Sequence, residues 1–600
     1  MGARHRLGAL SAAVLTAAGV ALIPATPSAA TPATPAPPTG PVATGRGGAV
    51  VSDTVQSTEA GLSVLRRGGT AADAAVAVAA TLGVTDPFVA GLGGGGYFVY
   101  YDARTGRVST LDGRETTPRA GDEKMFVNPA TGQPYDFATA VTSGLSVGVP
   151  GMLATWERAL QKWGRFRLAD TLRPAIEVAD RGYPLTPALR TQIANNESRL
   201  RQFTSSSELF LPGGSVPAVG TVLRNPDLAN TYRDIARGGA KAFYGGAVGR
   251  DVVDAVQNPP LAPDHTITPP QGRMVLDDLK SYKVVDQAPT HIRYRGLDVY
   301  GMAPSSSGGI TVGESLNILE NFDLRKMDRT QALHHYLEAS KLAYADRNRF
   351  IGDPRFVKVP QDALLSDRYA ASRACLIDPA KAATAPVAPG DPAKPGSCKA
   401  GTATATPDTE VHTNHFVVSD AWGNVVSYTN TIEQLGGSAI VVPDRGFLLN
   451  NELTDFNFAP TQGSAPDPNL PAAGKRPRSS MSPTIVLKDG RPWLAVGSPG
   501  GSTIITTVLQ VLVNRIDLGM SLPEAIAAPR ASQRNTAAVT AEPAFISGAG
   551  GLTALGHTFN PQAEIGVAAG LEFLGNGKVL AVGEPTRRGG TSAGVLFPTR

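Results

Sequence analysis

Residues 412–434 read HTNHFVVSDAWGNVVSYTNTIEQ. Apolar and polar residues alternate on both sides of Asp420-Ala421-Trp422-Gly423-Asn424, the pattern of two half-buried strands joined by a tight loop. A loop of Ala421, Trp422 and Gly423, with glycine supplying the left-handed conformation, sets Asp420 opposite Asn424. Counting outward from that pair, Thr413 comes to face Thr431. Opposed residues on one sheet face hold their Cβ atoms roughly 4.5–5.5 Å apart, so one hydroxyl can orient the other. Threonine pairs are common sheet filler, but this one directly follows a linker. Were the bond between His412 and Thr413 cut, Thr413 would carry a free amine of pKa about 7.7–8.0 beside its own hydroxyl. That arrangement is a recognised way of activating a weak nucleophile.

The chain has 600 residues, enough for two domains or one large layered α/β unit. Its 55 basic and 51 acidic side chains leave a net charge of +4. No basic stripe interleaved with aromatics is present, so nucleic acid is not an expected partner. Arg4, His5 and Arg6 precede an apolar stretch from Leu7 to Ile23 and small residues to Ala30, which reads as a secretory signal over 1–30 and predicts export. An uncleaved anchor is the alternative, but the stretch is just short of a bilayer span, and stable membrane insertion is not expected. Residues 31–47 read as a Pro/Thr-rich tether. Cys375 and Cys398 are the only cysteines. In an exported chain a disulfide between them is expected, two free thiols being the alternative.

Helix and strand signals alternate along the rest. TVQSTEAGLSVLRRGG (54–69) and the segment opening at Thr70, with Asp73 in capping-box spacing, read as core-facing helices. YFVYYDARTGRVSTLDGRE (97–115) reads as a hairpin turning at Thr105-Gly106. Long helices are expected at MLATWERALQKWG, RLADTLRPAIEVADRG, ITVGESLNILENFDL and QALHHYLEASKLAYADRNRF. Residues 376–408, rich in Ala, Pro, Lys, Gly and Thr, read as an exposed linker. Beyond it GFLLNNELTDF, TIVLK and RPWLAVG read as strands, with Asp489-Gly490 as a turn, followed by the apolar helix TIITTVLQVLVNRI. Helices segregated from antiparallel strands predict stacked sheets covered by helices.

Three further motifs are weaker. Gly91-Leu-Gly93-Gly-Gly-Gly96 fits a dinucleotide fingerprint by letter, but a Pro-containing segment precedes it and a strand follows, so it reads as a tight turn where backbones approach. Gly144-Leu-Ser146-Val-Gly148 fits a nucleophile elbow, and a Ser146 hydrolase is the second reading, although Val149-Pro150-Gly151 delays the helix such an elbow needs. His334 and His335, adjacent on a helix, point to different faces and read as surface or half-buried residues.

Taken together, DAAVAVAATLGVTDP with GLGGGGYF, LDGRE, SVGVPG, APSSSGGIT, LAYADRNRFIGDP, TNHF, LLNNELTDF, KRPRSSMSPTIV and GSPGG resemble, in order over about residues 48–597, the γ-glutamyltransferases (glutathione hydrolases) of the N-terminal nucleophile superfamily. The resemblance implies an α+β fold, a four-layer αββα sandwich of two stacked, mainly antiparallel sheets covered by helices. It also implies a precursor that cuts itself before Thr413 into a large subunit (48–412 after the tether) and a small one (413–600), which stay associated. Thr413 matches the nucleophile and Thr431 the threonine that hydrogen-bonds it. Gly500 and Gly501 match the oxyanion-hole glycines, which suits their place between a strand and a helix N-terminus. Arg114 matches the arginine that takes the donor's α-carboxylate; from spacing alone it would be a surface residue after a turn. Ser479 and Ser480 match hydroxyl donors to the same group. Asp455 matches the acid that takes the α-ammonium, with Glu433 and Glu452 beside it where many relatives carry Asn and Gln. Three acids around one amine raise one another's pKa, so donor affinity is expected to fall with pH. The implied partners are small γ-glutamyl donors and amino acid or peptide acceptors, with no metal or organic cofactor. A glutaryl or poly-γ-glutamate acylase of the same fold is the near alternative. The loop 456–478 is intermediate in length between lidded and lidless relatives.

Overall fold

The register counted from the turn holds in the computed structural model, which describes residues 40–396, 398, 401 and 413–599. Strands Asn414–Asp420 and Val425–Thr431 pair antiparallel from Ser419 opposite Val425 to Asn414 opposite Asn430. Gly423 sits at φ 89°. One Asp420 carboxylate oxygen accepts from the N–H groups of Trp422 and Asn424, at 2.9 and 3.0 Å, and so locks the loop that sets the register.

The glycine run explains the next strand. Gly95–Asp102 pairs with Val425–Thr431, Gly95 lying opposite Thr431. A Cβ at Gly94 would stand 2.0 Å from the Thr431 carbonyl oxygen, and one at Gly93 2.1 Å from that of Leu448. Only glycine lets these backbones close on the end of the hairpin. The run is therefore a close-approach turn, and no helix follows it.

Hydrogen-bonded order across the main sheet is Val285–Gln287, Arg107–Gly113, Gly95–Asp102, Val425–Thr431, Asn414–Asp420, Val42–Ser52, Lys578–Val582, Ala569–Gly575, Arg491–Gly497, Thr484–Lys488, Leu297–Gly301 and Thr290–Tyr294. Ser592–Pro598 joins at Val42–Ser52. Every pairing in this sheet is antiparallel. The expected two sheets are two halves of this one ladder, joined through Val42–Ser52, which pairs with Lys578–Val582 by its first residues and with Asn414–Asp420 by its last. The halves stack: Ser427 Oγ donates to the Val496 carbonyl at 3.4 Å, and a Cβ at Gly497 would strike the His415 ring.

Period-two alternation sorts the layers. Phe98, Tyr100, Phe416, Val418, Val426 and Tyr428 face one core, closed by helices Val55–Arg66, Ala71–Thr85, Met152–Trp163 and Leu168–Arg181. Tyr97, Val99, Val417 and Val425 belong to the other, with Val486 and Val496 and residues of helices Gly308–Glu320, Arg329–Phe350 and Thr503–Ile516. Helix, sheet, sheet and helix is the α+β layering the resemblance implied. The Thr70–Asp73 capping box is present.

Four expectations need correction. The tether ends earlier than residue 47, because Val42–Ser52 is already a strand, with Val42 opposite Val582 and a register shift between Arg46 and Ala49 where Gly47 and Gly48 take positive φ. Of 376–408, the described part is no loose linker: Val387 is buried and exchanges hydrogen bonds with the Asn535 side chain, and Gly390 N–H donates to Asp346. GFLLNNELTDF is not a strand. The Asn450 side chain donates to the Gly93 and Gly148 carbonyls and accepts from the Gly148 and Glu452 N–H groups. It thereby replaces a ladder and turns the chain into the 3-10 segment Glu452–Asp455. Finally, His334 and His335 are both buried. A disulfide joins Cys375 to Cys398. No helix among the described residues is long and apolar enough to cross a membrane. The signal sequence and His412 lie outside the described residues.

Candidate active site

Thr413 immediately precedes the strand Asn414–Asp420, and Thr431 closes the strand Val425–Thr431, so the two follow directly on the Asn414–Asn430 pair. Both side chains line a cavity of about 720 Å³, together with Arg114, Glu433, Glu452, Asp455, Ser479, Ser480 and Gly501. Nine of the ten residues that the resemblance matched to catalysis or donor binding thus converge on one space. Gly500, the tenth, stands one residue behind the wall. The Thr431 hydroxyl oxygen accepts from the Glu433 N–H at 2.8 Å, which fixes the threonine rotamer through the next turn.

Gly500 and Gly501 take φ 134° and 55°, in the bend between strand Arg491–Gly497 and helix Thr503–Ile516. The Gly500 carbonyl accepts from the Thr503 N–H and hydroxyl, so the helix begins under the bend. Ser502 is held from two sides: Tyr344 OH donates to its carbonyl, and Arg534 donates to its Oγ at 2.6 Å.

Arg114, which also lines the cavity, is buried, against the surface place its spacing suggested. Its guanidinium donates to Glu452 and Asp455 and to the carbonyls of Pro477 and Arg478. Ser480 Oγ accepts from Arg347 at 2.7 Å, and Ser479 Oγ from the Met481 N–H. The loop 456–478 forms a wall, with Ala459, Pro460, Thr461 and Gly463 lining the cavity. It is stapled by Phe458 stacked on Phe126 at 4.2 Å and by Asp467, which accepts from Asn457 and Thr461.

The family model described as Gamma-glutamyltranspeptidase matches residues 57–594. The chain belongs to that family. It is 40% identical over 494 residues to a glutathione hydrolase proenzyme of Bacillus subtilis (strain 168), covering 82% of this chain and 81% of the relative. It is 38% identical over 491 residues to the glutathione hydrolase proenzyme of Escherichia coli (strain K12), covering 80% of each. The crystal structure of a cephalosporin acylase from Bacillus halodurans superposes with a TM-score of 0.80 at 27% identity, over 96% of this chain and 99% of that one.

In this member of the gamma-glutamyltranspeptidase family the cavity carries three acids, Glu433, Glu452 and Asp455, beside Arg114, Arg347 and Arg478. Glu433, at φ 80°, accepts from the Asn451 side-chain amide through one oxygen; its other oxygen and one of Glu452 are buried without a hydrogen-bond partner among the described residues. Burial, reinforced by Asp455 and Glu452, pushes the Glu433 carboxyl well up. Burial also raises Glu452, to about 7, against the pull of Arg114. Glu115, buried behind Arg114, is raised well above the usual range by burial and by Glu452.

Sequence reasoning missed Arg347, Glu115 and the aromatic wall of Tyr135, Phe137 and Phe458. Arg347 reads from sequence as one of several basic residues in a helix's last turn, and nothing local separates it from Arg349. The two remaining motifs resolve against chemistry. Ser146 is buried in a 3-10 turn, and its hydroxyl donates to the Ser143 and Val141 carbonyls, so the elbow reading fails. His334, Glu338 and His557 lie close enough to hold an ion. Yet the two rings bond each other at 2.8 Å, His334 bonds the Asp378 carbonyl, and Glu338 accepts from Lys341 and the Ala383 N–H. Protein partners engage these groups.

Proposed function

We propose that this chain is an exported, self-processing γ-glutamyl hydrolase and transferase with Thr413 as its nucleophile. Cleavage begins with the Thr413 hydroxyl attacking the His412 carbonyl carbon. The acyl group passes from nitrogen to oxygen, and water hydrolyses the ester, leaving a His412 carboxylate and the free Thr413 amine. In the mature enzyme that amine takes the hydroxyl proton as Oγ attacks the δ-carbonyl of a γ-glutamyl amide, with Thr431 orienting Oγ. N–H groups at the Gly500-Gly501 bend stabilise the oxyanion. The leaving amine departs with a proton, and water or an acceptor amine resolves the γ-glutamyl ester.

The donor head is a zwitterion. Arg114, with Ser479 and Ser480, takes its α-carboxylate, and Asp455, Glu452 and Glu433 take its α-ammonium. The observation that carries the reading is the convergence of Thr413, Gly501 and this mixed-charge cage on one cavity. The fold likeness to an acylase supports a second reading, an acylase acting on glutaryl side chains. An amine-free acyl group would leave the acids facing one another, which favours the γ-glutamyl reading.

A denaturing gel tests the proposal. Wild type should show two pieces meeting at 412/413, Thr413→Ala a single chain, and Thr413→Ser two pieces again. A wild-type band still intact after prolonged incubation would refute it.

A further inference from the structure

A second cavity, of about 480 Å³, is lined by Arg588, Asp53, Asp86, Thr85 and Gln192, and shares no lining residue with the donor cavity. Between the two stands the backbone of Thr413. Arg588 Nη1 donates to the Thr413 carbonyl at 3.1 Å, and Nη2 to Asp86 at 3.3 Å, with Asp53 3.9 Å away. The Asn414 side chain donates to Asp53 at 2.5 Å. The peptide leaving Thr413 is therefore gripped at its carbonyl and at the next side chain by one ionic cluster. That cluster joins the C-terminal segment to residues of the N-terminal part of the chain.

Arg588 is built into this place with some strain. It sits at φ 53°, a left-handed conformation uncommon for a side chain of its size, and is followed by Gly589 and Gly590 at φ 82° and 83°. Glu564 holds its backbone N–H at 2.9 Å.

We infer that Arg588 is a positioning residue for the nucleophile, anchoring the carbonyl of Thr413 once that residue becomes a chain terminus. The inference rests on the proposed cleavage before Thr413. A terminus loses its upstream covalent restraint, and terminal residues fray unless tied down. Strand pairing begins only at Asn414. The Arg588 bond restrains Thr413 itself, and an attacking oxygen displaced by about 1 Å can cost on the order of a hundredfold in rate.

The test is Arg588→Gly, because glycine adopts the left-handed conformation without cost and removes the guanidinium while sparing the fold. The expected result is a melting temperature lowered no further than in Asp86→Asn, which opens the same ion pair without touching the Thr413 carbonyl, with kcat for a γ-glutamyl anilide lowered at least about tenfold and KM within about twofold, since the donor cage is untouched. Arg588→Lys, which keeps the charge and a donor, should recover part of the kcat. If Arg588→Gly cleaves but turns over at the wild-type rate, the inference falls; it also falls if Asp86→Asn, melting at the same temperature, lowers kcat as much. Should Arg588→Gly fold but stay uncleaved, melting like the Thr413→Ala precursor, the arginine is needed before Thr413 becomes a terminus and the inference as stated falls. Mapping a covalent donor adduct separates the levels. An adduct off Thr413 sinks the parent reading, whereas an adduct on Thr413 with wild-type turnover in Arg588→Gly sinks only this one.

Discussion

Arg114 and Glu452 form an ion pair in which each side chain is 1% exposed. Asp455 takes the second arm of the same guanidinium. Cation and acids thus satisfy one another inside the cavity, and on the proposed function a donor zwitterion inserted between them would exchange one set of ion pairs for another. A group bearing only one of the two charges leaves part of the set unpaired, which is costly in a buried site.

Arg114→Ala should raise the donor KM at least about tenfold, the order of one lost charged hydrogen bond. Asp455→Ala should do the same from the ammonium side. Steady-state kinetics with a γ-glutamyl anilide measures both, and unchanged KM values in the two variants would refute the assigned poses.

Donor selectivity follows from the same cage. A glutaryl anilide, lacking the α-amine, should show kcat/KM at least about tenfold below the γ-glutamyl anilide. Equal values would favour the acylase reading.

The buried acids set a pH dependence. Glu452 is raised to about 7 by burial, so it becomes neutral as pH falls below that value and the cage loses an anion facing the ammonium. The inhibition constant of an unreactive γ-glutamyl analogue should weaken from pH 8 toward pH 5.5. Glu452→Gln should flatten that dependence.

Stability should move the other way in the protein without donor. Glu433 is raised by burial, so the folded state binds a proton that the unfolded chain releases above its ordinary carboxylate pKa, about 4.3. Its contribution is therefore increasingly unfavourable as pH rises from there to the folded value. Glu433→Gln should raise the melting temperature at pH 8, with the gain shrinking toward pH 4.5. A gain independent of pH would show that Glu433 is not the titrating group.

The hairpin was fully legible because two local rules, period-two alternation and the turn chemistry around Gly423, fix register without knowledge of the rest of the chain. The burial of Arg114 was not. It depends on residues 452–478 folding over it, more than three hundred positions away, and no local pattern records that. GFLLNNELTDF misled because its apolar half reads as a strand, while one side chain, Asn450, takes over the backbone hydrogen bonds that a strand would need. His334 misled in the opposite sense: its partner His557 comes from a distant segment. Ser146→Ala checks the discarded motif and should leave turnover within about twofold, its hydroxyl being spent on backbone carbonyls.

The most direct test is mass spectrometry of the purified protein treated with a slowly turned-over γ-glutamyl donor. The result expected is two chains, the smaller beginning at Thr413 and carrying one γ-glutamyl adduct on that first residue. An active protein that is uncleaved, or an adduct on any other residue, would contradict the assignment of Thr413 as nucleophile.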